Sequence, residues 1–312
     1  MVDKETAEKE HQAKVLAYKK HAALRENLTG YAFLAPNIIG FFTFTFFPVF
    51  ASFVLAFCQW DIITEVKFVG LKNFIVLIQD KLFWKYFANT LFFMIGIPIG
   101  MTVSLILALL MNQKLRGIVV FRTIYFMPVV SSLIAVALLW RWIYNPDFGL
   151  LNSFLRMLGF RNVPQWLAST SWSKPAIMLM SIWRWAGYNM ILYLAALQGI
   201  PPQLYEAASI DGANTWRKFW HITFPMLGPT NFFIVVMSII GTFQTFGEIY
   251  VMTGGGPAGS TTTIVYYIYN NAFQWFKMGY ASAIAWFLFL VMFLVTLAQW
   301  KYAGQKVEYS VT

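Results

Sequence analysis

Apolar residues along this chain come in six long runs separated by short polar segments. The runs are Tyr31–Phe57, Tyr86–Met111, Ile118–Ile143, Lys174–Leu197, Gly228–Tyr250 and Gly279–Trp300. Each exceeds the roughly 20 helical residues that cross a bilayer core of about 30 Å, and none alternates strictly as the strands of a membrane barrel do. Because a helix satisfies its backbone hydrogen bonds internally, the pattern predicts an all-α, multi-pass membrane protein with six transmembrane helices.

Composition and charge add an orientation to this picture. The chain is 59% hydrophobic and 12% charged, outside the range of soluble domains. Lysine and arginine accumulate before the first run, in the second and fourth loops and after the last run, which favours both termini in the cytoplasm. The predicted organisation is a basic cytoplasmic segment (1–30), a transmembrane domain (31–302) and a cytoplasmic tail (303–312). Basic loops facing anionic lipid explain the net charge of +10 without nucleic acid.

Motifs for catalysis are missing from the sequence. It holds no GxxxxGK[ST] phosphate loop, HExxH or CxxC, and its histidines are His11, His21 and His221. The single cysteine, Cys58, cannot form a disulfide within the chain, and we expect it to be a packing residue near the outer end of the first span. The chain is therefore predicted to be neither an enzyme nor a metal protein, and energy for transport has to come from another polypeptide or an ion gradient.

A polar segment interrupts the apolar pattern between the fourth and fifth runs. It reads EAASIDGANTWRKFWHITFP over residues 206–225. Prolines end the preceding helix, and the residue types predict a short helix over Gln203–Ser209, a turn at Gly212 and a second amphipathic piece that Pro225 ends. Composition alone favours the structural alternative, a loop helix with its aromatic residues among the lipid headgroups.

The spacing within this segment is specific. The pattern E-A-A, three residues, Gly, nine residues and I-x-x-P resembles the EAA loop (201–225) of the membrane subunits of binding-protein-dependent ABC importers, and the longer stretch over residues 200–229 resembles the carbohydrate branch. FVGLKNF (68–74), TGGGPAGST (253–261) and YIYNNAF (267–273) are similar to segments of sugar permeases of the maltose and glycerol-phosphate type. The resemblance covers nearly the whole chain and identifies it as a carbohydrate ABC importer permease subunit.

That resemblance implies partners and a mechanism. The chain would pair with a second homologous permease subunit in the cell (inner) membrane, bind two ABC ATPase subunits and receive sugar from an extracytoplasmic solute-binding protein. ATP and Mg²⁺ would bind to the ATPase, and this chain would hold no cofactor. The residues implied in ATPase coupling are Glu206, Ala207, Ala208, Asp211 and Gly212. Glu206 would be the fixed charge and Gly212 the turn.

The predicted substrate path lies on the fourth and fifth runs, where the maltose-type permeases place their sugar contacts. Its polar and aromatic residues are Ser181, Arg184, Trp185, Tyr188, Asn189, Ser238, Thr242, Gln244, Thr245 and Glu248. On helical spacing, Ser238, Thr242 and Thr245 share one stripe, and Gln244 and Glu248 share the next. For the serine and threonine hydroxyls, a hydrogen bond back to the helix is the structural alternative.

Two charged residues of this path raise a question about the cargo. Arg184 would cost about 2.5–3.5 kcal/mol at a helix centre, so it has to face a cavity, a partner or a carboxylate of a neighbouring subunit. A guanidinium matches a carboxylate in two-point geometry, which makes an acidic, uronate-containing oligosaccharide a hypothesis. Glu248 stands one residue after the usual aspartate position of the family, and it could neutralise Arg184 within or across subunits.

Other classes of function fit the sequence less well. An ion-coupled secondary transporter predicts carboxylates at mid-membrane depth and inverted repeats, whereas Glu248 is the only acidic residue within a run and lies near its outer end. An intramembrane enzyme would need a nucleophile with a base, or metal ligands.

Two further predictions concern a helix contact and a loop. Gly96-x-x-x-Gly100 marks a close helix contact within the chain, and the Thr253–Thr261 loop either helps receive the binding protein or is a plain tight turn.

Overall fold

The computed structural model describes residues 2–113 and 116–301, without the side chains of residues 2–15, 17, 21 and 23. The predicted tail at 303–312 and Lys114 of the second loop lie outside the described residues. By its internal contacts the chain forms two compact units, Met1–Leu55 and Ala56–Thr312.

The first unit is helical throughout its described length. Helix α1 (Val2–Phe41) continues through a π-helical turn (Phe42–Phe46) into α2 (Phe47–Ala56). Alanine, leucine, lysine and glutamate, which favour helices, fill much of its first half. The helix consequently runs through the predicted boundary at residue 30 without a break.

Within residues 56–113 and 116–301, the regular structure of the second unit is helical apart from one two-stranded antiparallel sheet, in which β1 (Cys58–Gln59) pairs with β2 (Lys67–Phe68). Its helices are α3 (Lys72–Gln79), α4 (Lys81–Phe93), α5 (Gly96–Met111), α6 (Ile118–Val130), α7 (Leu133–Ile143), α8 (Leu150–Met157), α9 (Ser173–Gln198), α10 (Pro202–Ile210), α11 (Thr215–Lys218), α12 (Phe224–Met226), α13 (Gly228–Phe243), α14 (Gly247–Met252), α15 (Ile264–Tyr269) and α16 (Met278–Gln299). Two more π-helical turns cover Phe219–Thr223 and Asn270–Gln274. The mostly helical fold class is confirmed.

The predicted count of six spans is not confirmed. In the described part of the chain, three helical stretches are long and apolar enough to cross a membrane: Tyr18–Ala56, Lys81–Met111 and Met278–Gln299. The count reaches five if two bent helix pairs are each taken as one span. The fourth predicted run forms a single helix of 26 residues, α9, but its apolar pattern is diluted by residues such as Lys174 and Arg184.

The third predicted run is not one helix, because the chain bends by 101° between α6 and α7. Pro128 lies in the last turn of α6 and supplies no N–H for the helix. Ser131 and Ser132 then take extended ψ angles of 146° and 129°. The expectation of a continuous helix over Ile118–Ile143 is therefore wrong.

The fifth predicted run is also interrupted. Helix α13 ends at Phe243, and the chain becomes helical again only at Gly247. At the interruption, the Thr245 carbonyl accepts a hydrogen bond of 2.7 Å from the Thr263 hydroxyl, a residue 18 positions further along the chain. A distant side chain thus satisfies a backbone group that a continuous helix would have paired locally.

Helix α9 lies at the centre of the second unit and packs along α5 and α6. The close contact predicted at Gly96 and Gly100 is confirmed as internal: a Cβ on Gly96 would lie 2.8 Å from Met178, and one on Gly100 would lie 3.7 Å from Ile182. Cys58 is buried, as predicted for a packing residue.

The carboxylate of Asp80, immediately before α4, connects three helices of the second unit by hydrogen bonds. Asp80 accepts hydrogen bonds of 2.6 Å from the Tyr267 and Tyr280 hydroxyls, and it caps α4 through the Leu82 N–H. Burial alone would raise the pKa of Asp80, but these donated hydrogen bonds outweigh burial and hold the pKa below its ordinary value. The ionised carboxylate therefore fixes α15 and α16 against α4.

Candidate functional site

The polar segment between α9 and α13 contains the predicted turn. Helix α10 ends at Ile210, and Gly212 takes a φ of 76°. The Ala213 N–H donates to the Ala208 carbonyl at 2.8 Å, and the Gly212 N–H donates to Ser209 at 3.1 Å. These two bonds form a Schellman cap, which requires a left-handed residue where Gly212 stands. The turn predicted at Gly212 is confirmed.

Further bonds tie the two halves of this segment to each other. The Asn214 side chain caps α11 by accepting from the Arg217 N–H at 2.9 Å. Lys218 donates to the Ser209 hydroxyl at 2.6 Å, and the Tyr205 and Thr223 hydroxyls lie 2.9 Å apart. The segment from Pro202 to Met226, here called the coupling segment, is thus closed by its own hydrogen bonds.

Two details of the coupling segment differ from the prediction. Pro225 does not end the second helical piece, which continues to Met226, because the π-helical turn before the proline accommodates its missing N–H. The helix predicted over Gln203–Ser209 is also one residue longer at each end, Pro202–Ile210; none of its residues is buried, and Leu204 is 41% exposed.

The residues predicted to couple to an ATPase lie on the outside of the coupling segment. Glu206, Ala207, Asp211 and Gly212 are exposed and Ala208 is half-buried. Among the described residues, Glu206 has no hydrogen-bond or ion-pair partner. Within the part of the chain that the structure describes, the segment therefore presents an unpaired carboxylate on a frame closed by its own hydrogen bonds.

The predicted substrate-path residues of α9 keep their helical relation. Ser181, Arg184 and Asn189 are half-buried, and Trp185 and Tyr188 are exposed. The Trp185 and Tyr188 rings lie edge-to-face with centroids 6.0 Å apart, and the Arg184 guanidinium carbon lies 5.1 Å from the Trp185 ring centre. Aromatic faces and polar groups therefore stand side by side on this helix.

Arg184 has its carboxylate partner inside this chain. Its Nη1 lies 4.0 Å from Oε1 of Glu248 on α14, with the two side chains only 13% and 12% exposed. The Nε atom of Arg184 is buried and has no hydrogen-bond partner in the described part of the chain. The distance of 4.0 Å is long for an ion pair. The Glu248 carboxylate therefore balances the charge of Arg184 but leaves part of the guanidinium's hydrogen-bonding capacity unused.

The residues of α13 and its end are arranged differently from the predicted stripes. Since the helix ends at Phe243, Gln244 and Glu248 do not share a helical stripe, and this expectation is wrong. Thr242 donates back to the Ser238 carbonyl at 2.8 Å, and Thr245 donates to the Gly241 carbonyl at 3.4 Å. For these two hydroxyls the structural alternative is confirmed.

The loop between α14 and α15, residues 253–263, is here called the glycine loop. Its residues Ser260–Thr263 are buried, so it is not a plain tight turn. Asn89 of α4 donates to the carbonyls of Gly259 and Thr262 at 3.0 Å each, and Lys85 donates to Ala258 at 2.8 Å. The loop is therefore held by side chains from a distant part of the chain.

A second helix holds the same loop. The hydroxyls of Ser173, at the start of α9, and Ser260 lie 3.0 Å apart, while Lys174 donates to the Asn89 side chain at 3.2 Å. Gly255 packs so tightly that a Cβ there would lie 2.8 Å from the Tyr266 ring. Sequence reasoning missed these anchors, because no local spacing connects Asn89 to a loop about 170 residues away.

Comparison with known proteins places this arrangement in a family. Residues 96–307 match the family model described as binding-protein-dependent transport system inner membrane component. The chain is 36% identical over 299 residues to the probable ABC transporter permease protein YesP of Bacillus subtilis, covering 94% of this chain and 96% of that protein. It is 39% identical over 286 residues to the lactose transport system permease protein LacF of Rhizobium radiobacter, covering 90% and 95%.

Solved structures agree with this similarity. A chain of a bacterial alginate ABC transporter, in complex with an alginate pentasaccharide-bound periplasmic protein, matches with a TM-score of 0.78 and 27% identity, covering 88% of this chain and 93% of that one. The family model spans more than half of the sequence, and the relatives are matched nearly end to end. The chain therefore belongs to the family of binding-protein-dependent transport system inner membrane components.

Proposed function

We propose that this chain is the permease subunit of an ATP-driven, binding-protein-dependent ABC importer for sugars or oligosaccharides. It forms half of the translocation path by alternating access, together with a second homologous permease subunit. Two ABC ATPase subunits bind ATP and Mg²⁺, and an extracytoplasmic solute-binding protein delivers the sugar. Relatives named for lactose and arabinooligosaccharide transport support the substrate class.

In this proposal the coupling segment docks on the ATPase in the cytoplasm. The observation that supports this role is the exposed Glu206, which has no partner among residues the structure describes, on a frame whose hydrogen bonds are internal. A short rigid element transmits a displacement without bending, and a free carboxylate offers a charge-assisted contact to a basic residue of the partner.

The experiment is Glu206→Ala in the reconstituted complex, with sugar uptake and ATP hydrolysis measured together. We expect the ratio of uptake to hydrolysis to fall, because loss of one partner of an interface charge pair costs about 2–5 kcal/mol. Glu65→Ala, at an exposed carboxylate in the loop after β1, is the matched control and leaves the ratio unchanged. Full transport by Glu206→Ala contradicts the coupling role.

An ion-coupled secondary transporter is the alternative mechanism for the same fold. The pairing of Glu248 with Arg184 disfavours it, since the only carboxylate within a predicted span is already engaged with a cation. Transport by the chain alone in liposomes, driven by an ion gradient without an ATPase, would overturn the ABC mechanism.

A second proposal concerns the charge of the cargo. The unpartnered Nε of Arg184 supports an acidic, uronate-containing oligosaccharide, as does the similarity to an importer of the acidic polysaccharide alginate. A carboxylate of the cargo would complete the donor fork that the 4.0 Å contact with Glu248 leaves open.

Uptake of oligouronates and neutral oligosaccharides of matched length tests this idea. Arg184→Gln is expected to lose oligouronate uptake selectively. The double variant Arg184→Gln/Glu248→Gln separates recognition from charge balance, because it removes the buried carboxylate that the single variant leaves unpaired. If the double variant recovers uptake of oligouronates and neutral oligosaccharides equally, Arg184 only balances the charge of Glu248 and the acidic-cargo proposal fails.

A further inference from the structure

Four aromatic residues form a compact cluster beside the glycine loop. They are Phe246, Tyr250, Tyr266 and Tyr269, here called the tyrosine platform. Each ring contacts the other three, with centroid distances from 5.1 to 6.3 Å. Such mutual contact restricts the rotation of each ring, because its neighbours occupy the space on one side of it.

The fold builds the platform from two short helices and the loop that joins them. Tyr250 lies on α14 and Phe246 immediately precedes that helix, while Tyr266 and Tyr269 stand one turn apart on α15. The glycine loop packs directly on the Tyr266 ring at Gly255. The same bonds that anchor this loop to α4 and α9 therefore also fix the position of the platform.

The platform is separate from the Arg184–Glu248 pair. Within α14, Glu248 lies two residues from Tyr250, about 200° around the helix, so it projects from the side opposite Tyr250. The platform thus presents rings without a charge, whereas the other side of α14 presents the buried ion pair.

The exposure and chemistry of the platform fit neither a closed core nor a lipid-facing surface. Tyr250 is 50% exposed and the other three rings are half-buried. Among described residues, the Tyr250 and Tyr266 hydroxyls have no hydrogen-bond partner, and Tyr269 receives only a bond of 3.4 Å from Gln274. A core tyrosine pairs its hydroxyl, and lipid tails offer no partner to one. Fixed rings with free hydroxyls are instead the chemistry that a saccharide needs: a flat face for its C–H groups and partners for its own hydroxyls.

We propose that the tyrosine platform is an outer sugar-stacking subsite, which holds one saccharide unit of an oligosaccharide beside the glycine loop. This inference rests on the proposed function and deepens it. The subsite contacts a unit of a long chain while other units occupy the path lined by α9 and α13. It recognises the faces of sugar rings and not their charge, so it acts on neutral and acidic oligosaccharides alike.

Chain length is therefore the variable that tests the subsite. The complete complex with its binding protein is reconstituted in proteoliposomes, and uptake is measured for arabinooligosaccharides and alginate oligosaccharides of two and five units. Tyr250→Ala is expected to raise KM for five-unit chains about fivefold, the change that one aromatic contact implies. KM for two-unit chains is expected to stay within about twofold, because they fill the path without reaching the platform.

Two further variants make the result specific. Tyr250→Phe keeps the ring and is expected to fall between wild type and Tyr250→Ala. Phe160→Ala removes an exposed ring in the loop after α8 and is the matched control, expected to change neither KM. If Tyr250→Ala does not assemble, Tyr250→Leu replaces it, since leucine keeps bulk but offers no flat face.

The outcomes separate the subsite from the proposed function. If Tyr250→Ala raises KM equally for both chain lengths, or for neither, the subsite is overturned. Uptake by the wild type in the same experiment would still support the proposed function. Wild-type complex that takes up neither series, at either length, contradicts an oligosaccharide cargo of these classes together with the subsite that rests on it, whereas the wider proposal of a sugar importer is tested separately by Glu206→Ala.

Discussion

The glycine loop and the coupling segment are both polar interruptions between apolar helices, yet they are held in opposite ways. The glycine loop is buried over Ser260–Thr263 and bonded to α4 and α9. The coupling segment is bonded to itself, and no residue of its first helix is buried. The first is rigid because the rest of the chain surrounds it, and the second is rigid because its own turn closes it.

This difference suits the two proposed partners. A loop that receives a binding protein gains from a fixed backbone, since less disorder is lost when the partner arrives. A segment that moves with an ATPase has to remain rigid while its outer faces stay free. Substitutions that loosen one region should therefore leave the other intact.

The largest effect is expected from Asn89→Leu, which removes both hydrogen bonds to the carbonyls of Gly259 and Thr262. Loss of these donors to the buried Thr262 carbonyl and the partly buried Gly259 carbonyl should lower the free energy of unfolding by about 2–4 kcal/mol. We expect a lower thermal midpoint of the purified complex and weaker stimulation of ATP hydrolysis by the binding protein. Gln79→Leu, at an exposed amide of α3, is the control. An unchanged midpoint would show that Asn89 does not hold the loop.

A smaller effect is expected from Gly212→Val in the coupling segment. Space is open around Gly212, but its φ of 76° strains a β-branched residue by about 1–2 kcal/mol. We expect reduced uptake per ATP hydrolysed, with binding-protein affinity unchanged. Gly212→Asn should be milder because asparagine tolerates this conformation. Gly228→Ala, at a glycine with open space and an ordinary φ, is the control. If Gly212→Val takes up as much sugar per ATP hydrolysed as the wild type, the turn is not required for coupling.

The smallest effect on stability is expected from single cysteines in the two regions. Ile210 is 87% exposed at the end of α10 and Ala258 is exposed in the glycine loop, so each substitution should change stability by less than about 0.5 kcal/mol. Labelled with a photoreactive maleimide, Ile210→Cys should crosslink to the ATPase and Ala258→Cys to the binding protein. Buried Cys58 keeps the background low. A crosslink from Ile210→Cys to the binding protein, or from Ala258→Cys to the ATPase, would contradict the proposed orientation of the chain in the membrane.

Where local chemistry decides structure, the sequence was a reliable guide. The turn at Gly212 follows from a residue that reaches positive φ without strain, and the bonds that form the cap join positions within five residues of each other. The packing of Gly96 on α9 likewise follows from a small residue in an apolar helix. The helices themselves follow from long apolar runs.

Where distant residues compete with local preference, the sequence misled. The fifth run reads as one helix to Tyr250, but a hydroxyl from Thr263 takes the Thr245 carbonyl and the helix ends earlier. That interruption removed the predicted stripe of Gln244 and Glu248. The partner of Arg184 was left open between this chain and a neighbour, and the structure places it on α14.

The sequence by itself determined the apolar helices, the self-closed coupling segment and the family, because each depends on residue types at short, fixed spacing. Only the tertiary structure decided how the glycine loop is anchored, where α13 ends and how the four aromatic rings of the tyrosine platform meet. These features depend on pairs such as Asn89 with Thr262, which are separated by 173 positions along the chain. Their contact exists only after the helices have packed, so no periodicity in the sequence encodes it.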